Sequence, residues 1–203
     1  DYLEEEYTAS KSTQKGSISP TFSNYKNHAG GVSSLADFKG KYVYTLFPHQ
    51  TFYMLNKSEV TLIPKTIPLK RCLLSANMET AINGMWDTLP SCGDKILVVG
   101  SGVVGFLMAY LLKSIPGCEI LLVDSDSKKS KYSKIFDINF KNKIPNNYKA
   151  NIIYECSGNA NILNSLSKHV KEEATICILS WYGNNVSKVK FGEEFLSKRI
   201  KLI

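Results

Sequence analysis

Residues 96–112, ILVVGSGVVGFLMAYLL, form a run of 17 residues without a charge, bracketed by Lys95 and Lys113. That length is close to a membrane span. Gly100, Ser101 and Gly102 interrupt it and divide it into a short β-branched run and an apolar run of helical length. A buried strand, a tight turn and a buried helix produce this pattern, so a strand is expected at 95–100 and a helix at 103–113, and no membrane partner is expected. The first ten residues, DYLEEEYTAS, carry neither the basic nor the apolar region of a signal peptide, and no export is expected from them.

The pattern around this run extends it into a fold class. From Gly93 onward, apolar strand-like runs at 95–100, 119–124, 137–140, 150–155, 174–181 and 199–203 alternate with helical runs at 103–113, 127–134 and 159–171. Such alternation demands a parallel sheet with crossover connections, which is an α/β doubly wound architecture. The connection 141–149 holds Pro145 and three asparagines and is too broken for a helix. Upstream, KYVYTLF and QTFYMLN read as strands separated by turn chemistry at Pro48-His49, and 60–63 reads as a third. Residues 69–87 read as a helix, and the polar residues 1–40 as loop, frayed terminus or lead-in. A domain boundary is expected between residues 85 and 86.

Composition narrows the function classes. The chain carries 25 Lys plus Arg against 18 Asp plus Glu, a net charge of +7, but only Arg71 and Arg199 are arginine and the lysines are scattered. Base reading and phosphate clamping favour the planar guanidinium, so no nucleic-acid partner is expected. The five cysteines, Cys72, Cys92, Cys118, Cys156 and Cys177, form no CxxC pair and have no neighbouring histidine. They read as small buried hydrophobes in a reducing, cytoplasmic compartment, and no local metal cluster is encoded.

Gly100-Ser101-Gly102-Val103-Val104-Gly105 is a GxGxxG turn between a strand and a helix. In such a turn the first glycine permits the bend, the second lets the backbone approach a pyrophosphate, and the third lets helix pack on strand. The helix N-terminus then faces the anion. A bare GxGxxG is a weak signal, but the next strand, EILLVD, ends in Asp124, 19 residues beyond Gly105. A carboxylate there accepts from ribose hydroxyls and repels a 2′-phosphate, which favours NAD and leaves NADP open. Lys128 and Lys129 could face a 2′-phosphate, but they are expected rather on the solvated side of the following helix. Two later strand ends, Glu155-Cys156-Ser157-Gly158 and Ser180-Trp181-Tyr182-Gly183, belong to the same crevice. Ser157, Gly158, Ser180 and Trp181 are candidates to approach a nicotinamide ribose, and plain turn chemistry explains them equally well.

The run LLSANMETAINGMWDTLPSCGDKILVVGSGVVGFLMAYLL resembles the start of the coenzyme domain of medium-chain dehydrogenases/reductases, the zinc alcohol dehydrogenase superfamily. GKYVYTLFPHQTFYMLN and SWYGNNVSKVKFGEEFLSKRIKLI resemble a zinc-less branch of threonine- or alcohol-dehydrogenase-like proteins, and together these segments cover roughly residues 39–203. The resemblance implies a Rossmann domain preceded by a small β-rich remnant of a GroES-like domain, with the chain shortened at both ends relative to the family. Ala76 stands where the resemblance places a zinc-ligating cysteine, four residues before Thr80, so no zinc is expected. Thr80 is implied to lie against the nicotinamide.

Glu79, beside it, is a candidate proton relay, with a helix-face carboxylate as the plain alternative. His49 is a candidate acid/base, although a lone histidine is more often structural. The expected function is an NAD(H)-dependent, zinc-independent oxidoreductase acting on a small-molecule alcohol or carbonyl compound. A non-catalytic dinucleotide-binding module and a structural remnant stand as alternatives. Residues 186–191 alternate apolar and polar, as a half-buried edge strand does, and the resemblance implies a homodimer through Val186, Val189 and Phe191.

Overall fold

The computed structural model describes residues 2–7, 19–25, 40–47, 52–192 and 194–203. The chain divides into two compact units, residues 1–76 and 77–203. Among the described residues the strands form two sheets, one in each unit.

The first unit is built on β1 (Tyr2–Tyr7), β2 (Ser19–Tyr25), β3 (Tyr42–Phe47), β4 (Phe52–Asn56) and β5 (Thr61–Leu62), in the order β4-β1-β2-β3-β5. All its pairings are antiparallel, with Leu3 opposite Leu55, Thr21 opposite Thr45 and Val43 opposite Leu62. Successive side chains of a strand point to opposite faces, and β3 shows it: Val43 and Thr45 are buried while Tyr42 and Leu46 are exposed. Two of these strands lie in the lead-in that was expected to be irregular. YLEEEY and SPTFSNY lack apolar alternation of their own, and pairing with β3 and β4 overrides that local preference.

The helix expected at 69–87 is two helices, α1 (Leu69–Cys72) and α2 (Ser75–Thr88). The Ser75 hydroxyl donates to the Cys72 carbonyl at 2.7 Å, a bond that competes with the helical ladder at the break. From Asn77 onward α2 belongs to the second unit.

The second unit holds β6 (Lys95–Val99), β7 (Glu119–Val123), β8 (Asn139–Lys141), β9 (Ala150–Glu155), β10 (Val170–Ile178) and β11 (Lys201–Leu202). Every pairing is parallel, in the order β11-β10-β9-β6-β7-β8. Counted from β6, this is the 3-2-1-4-5-6 order of a doubly wound sheet, whose direction of travel reverses between β6 and β9. The unbroken apolar runs follow from burial on both faces. Ile96 and Val98 pack on one face with Met108, Ala109 and Leu112 of α3 (Val103–Leu112) and Ala81 of α2. Leu97 and Val99 pack on the other face with Leu163 and Leu166 of α5 (Leu163–Leu166) and Phe195 of α6 (Glu194–Ser197). All four β6 residues are at most 3% exposed, and each contributes about 1.5–3 kcal/mol of burial.

Two expected elements are altered. The helix at 159–171 is replaced by short turns around α5, because the Asn159, Ser165 and Ser167 side chains all bond to nearby backbone. Residues 186–191 form no strand. The Asn164 amide occupies the place of a neighbouring strand, donating to the Lys188 carbonyl at 2.7 Å and accepting the Lys190 N–H at 2.9 Å. Ser127 to Ile135 forms a 3-10 turn followed by α4 (Ser130–Ile135). No helix among the described residues is long and apolar enough to cross a membrane.

Candidate functional site

At the reversal between β6 and β9 the sheet opens into a cavity of about 750 Å³ at the carboxyl ends of the strands, lined among others by Gly100, Gly102, Asp124, Lys129, Cys156 and Ser157. That volume is in the range of small-molecule and cofactor sites. The three glycines of the turn have separate steric reasons. Gly100 has φ +98°, its N–H donates to the Val123 carbonyl at 2.8 Å, and a Cβ there would meet the Cys156 carbonyl oxygen at 2.5 Å. A Cβ on Gly105 would stand 1.8 Å from the Gly100 carbonyl oxygen, so the helix seats on the turn only without a side chain.

Gly102 is different. It is the N-cap of α3, no side chain caps that helix, and a Cβ there would meet nothing within 4 Å. Fold packing does not require a glycine at 102. What the glycine leaves is bare backbone at a helix N-terminus, on the cavity wall, where an anion is favoured. The residues present therefore fit the pyrophosphate of a dinucleotide.

Asp124 follows β7 on the adjacent wall. Its Oδ2 accepts from the Ser101 N–H at 2.8 Å, the Ser101 hydroxyl at 2.9 Å and the Lys129 ammonium at 2.8 Å, and its Oδ1 accepts from the Asp126 N–H at 2.9 Å. Burial pushes the carboxyl up, but the Lys129 ammonium and the Asp126 and Ser101 donors outweigh it and hold it at about 2, against an ordinary 3.8. Three of these four donors converge on Oδ2, while Oδ1 meets one and keeps a lone pair for a further donor. Lys129, expected on the solvated side of its helix, instead lines the cavity and pairs with Asp124. The cause is local: Asp126 caps the 3-10 turn through the Lys128 N–H and curls the chain back over the strand end.

The remaining sequence candidates are distributed as follows. Ser101 is 3% exposed and gives both its donors to Asp124. Val103 and Val104 open α3 without lining the cavity, and Ser157 lines it. Gly158 borders a smaller cavity of about 330 Å³ beside Tyr182 and Asn185. Ser180 bridges the two strand ends: its hydroxyl accepts from the Gly158 N–H at 2.9 Å and donates to the Glu155 carbonyl at 3.3 Å. Trp181 is 89% exposed and lines neither cavity. On α2, Glu79 is exposed and Thr80 half-buried, and neither lines the cavities. His49 lies outside the described residues.

Sequence reasoning passed over two cavity residues and one buried acid. His169 lines the cavity, with its Nδ1 3.2 Å from the Tyr148 carbonyl. Cys156 lines it too, and burial pushes its thiol well above the ordinary range, which disfavours the thiolate. Glu155 is fully buried. The signal for it was present, since an acid that closes the apolar run NIIY two residues before a serine can accept that serine's donors. All five cysteines are free. Among the described residues no three His, Cys, Asp or Glu side chains converge to hold a metal ion.

No family model matches the chain. Over 104 residues, 49% of its length, it is 31% identical to alcohol dehydrogenase class-3 of Oryza sativa subsp. japonica, and it spans 27% of that enzyme. All of the chain aligns with 72% of Staphylococcus aureus TarJ, solved in complex with NADPH, at a TM-score of 0.74 and 20% identity. With the Escherichia coli short chain alcohol dehydrogenase rspB, complexed with NADH, 99% of it aligns with 74% of that chain, at a TM-score of 0.74 and 12% identity. At these identities the likeness is one of fold: the six-stranded parallel sheet with a small antiparallel sheet before it is a Rossmann-like α/β architecture found in dehydrogenases.

Proposed function

We propose that this chain is a nicotinamide-dinucleotide-dependent oxidoreductase of the alcohol/carbonyl type, working without zinc and favouring NAD(H). The observation that carries the reading is the pairing, on one cavity, of a helix N-terminus stripped of side chains at Gly102 with an ionised Asp124 at the next strand end. The backbone of 100–102 and the start of α3 would hold the pyrophosphate. Asp124 would accept the adenosine ribose hydroxyls at the remaining lone pair of Oδ1, and at Oδ2 in exchange for Lys129 or the Ser101 hydroxyl, the donors on side chains and so the ones free to turn away. Ser157, Gly158 and the Ser180 hydroxyl would border the nicotinamide ribose. The cofactor, when bound, supplies or takes up the hydride.

Zinc independence is supported by Ala76 at the position where the resemblance expects a cysteine. Glu79 and His49 stay the proposed proton carriers. Because Glu79 is exposed and lines neither cavity, a second reading has a specific basis: a module that binds the dinucleotide without turnover. One experiment separates them. Purified chain is titrated with NADH and then assayed with a panel of aldehydes, ketones and alcohols, with and without a chelator. NADH binding with chelator-resistant turnover supports the oxidoreductase. Binding without turnover supports the module, turnover lost on chelation contradicts zinc independence, and absence of binding contradicts both readings.

A further inference from the structure

Glu155 closes β9 with a carboxylate that the site described above does not use. It has no exposed surface, and among the described residues no cationic side chain pairs with it. Burying a carboxylate is costly unless its oxygens are met. Here they are met by neutral donors only. Oε1 accepts the Ser157 N–H at 2.6 Å and also the Ser157 hydroxyl, and Oε2 accepts the Tyr182 hydroxyl at 2.5 Å. The same residue's carbonyl accepts the Leu179 N–H at 2.9 Å and the Ser180 hydroxyl at 3.3 Å. Three donors, none of them charged, thus converge on this carboxylate between the ends of β9 and β10, next to Cys156 and Ser157 of the cavity wall.

In a sheet of this strand order a dinucleotide lies across the carboxyl ends of the strands, one nucleotide on each side of the reversal. Asp124 marks the adenosine side, after β7. The β9–β10 side is left for the nicotinamide half, whose ring is a cation when oxidised and neutral once it has accepted a hydride. We propose that Glu155 is a built-in counter-charge that makes the β9–β10 side of the crevice favour the oxidised, pyridinium form of the cofactor over the reduced form. The inference rests on the dinucleotide reading of the cavity. The neutral donors matter to it: a lysine or arginine beside Glu155 would cancel the field, whereas Ser157 and Tyr182 hold the carboxylate in place without adding a compensating charge. In a partly desolvated strand end, one uncancelled charge shifts the relative affinity for cation and neutral ring by on the order of tenfold.

The test compares binding constants and needs no turnover. Dissociation constants for NAD+ and NADH are measured by isothermal titration calorimetry on the wild-type chain and on Glu155→Gln, which keeps the shape and removes the charge. The expected result is a rise of about tenfold in the ratio Kd(NAD+)/Kd(NADH). Tyr182→Phe removes a donor and keeps the charge, so it should change both constants by one common factor. Equal changes for both cofactors in Glu155→Gln would overturn the proposal and leave Glu155 a purely structural acid.

A measurement on the wild type alone covers the case in which Glu155→Gln does not fold. The neutral benzamide isostere of NAD+ should bind several-fold more weakly than NAD+ itself, and equal affinity overturns the proposal. If the folded wild type binds neither NAD+ nor NADH, the dinucleotide reading has failed first, an outcome distinct from an unchanged ratio.

Discussion

Asp124 is a carboxylate that stabilises the protein before any ligand arrives. A carboxyl held at about 2 instead of 3.8 contributes on the order of 2 kcal/mol to folding. Because the folded value lies below the unfolded one, that contribution is fully present above about pH 4 and is lost as the pH falls toward 2. Asp124→Asn should therefore lower unfolding free energy by about 2 kcal/mol at pH 7 and by much less near pH 2, as read by urea denaturation at the two pH values. In the dinucleotide reading proposed above, the same pair would govern cofactor choice. Asp124 would repel a 2′-phosphate, while Lys129, 2.8 Å away, would soften that repulsion. NADH should bind more tightly than NADPH, Asp124→Ala should narrow the gap and Lys129→Ala should widen it, all by fluorescence titration. A wild-type preference for NADPH would contradict this assignment of Asp124.

The turn between β6 and α3 was legible in the sequence because its constraints are local. A strand, a fixed glycine spacing and a helix follow each other within 18 residues, and each glycine's task follows from backbone geometry. Gly105→Ala, whose Cβ would overlap the Gly100 carbonyl oxygen at 1.8 Å, should destabilise the chain by about 3 kcal/mol or prevent its folding, measurable by thermal and urea unfolding. What stayed hidden was set by side chains that bond across elements. Nothing in the apolar-polar alternation of 186–191 announces that the Asn164 amide will clasp the backbone there. Nor does the segment SKK after Asp126 announce that Lys129 turns back onto Asp124. β1 and β2 were missed for a related reason: their residues become strands only by pairing with β3 and β4. Glu155 was readable as a strand end, but the hydroxyl that meets its Oε2 comes from Tyr182, 27 residues further along the chain.

The parallel order of the second unit follows from the alternation of strands and helices, and it brings Gly102, Asp124 and Ser157 to one cavity although they come from three different strand ends. Assembly is the next question. We expect a homodimer through the exposed stretch around Val186 and Phe191, which are 94% and 60% exposed. Val189 packs against the core, so Val186→Asp is the cleaner probe: light scattering should show a dimer that becomes a monomer in the variant, and a monomeric wild type at micromolar concentration would contradict the contact.

The dinucleotide site itself is tested most directly at Gly102, where an added methyl group meets open space in the fold yet stands where a pyrophosphate would approach the backbone. Calorimetric titration of the wild type and of Gly102→Ala with NADH should show binding by the wild type. The variant should bind at least about tenfold more weakly while losing at most about 1 kcal/mol of stability. A folded wild type that binds no NADH, or a Gly102→Ala chain that binds it equally well, would contradict a pyrophosphate site at this turn.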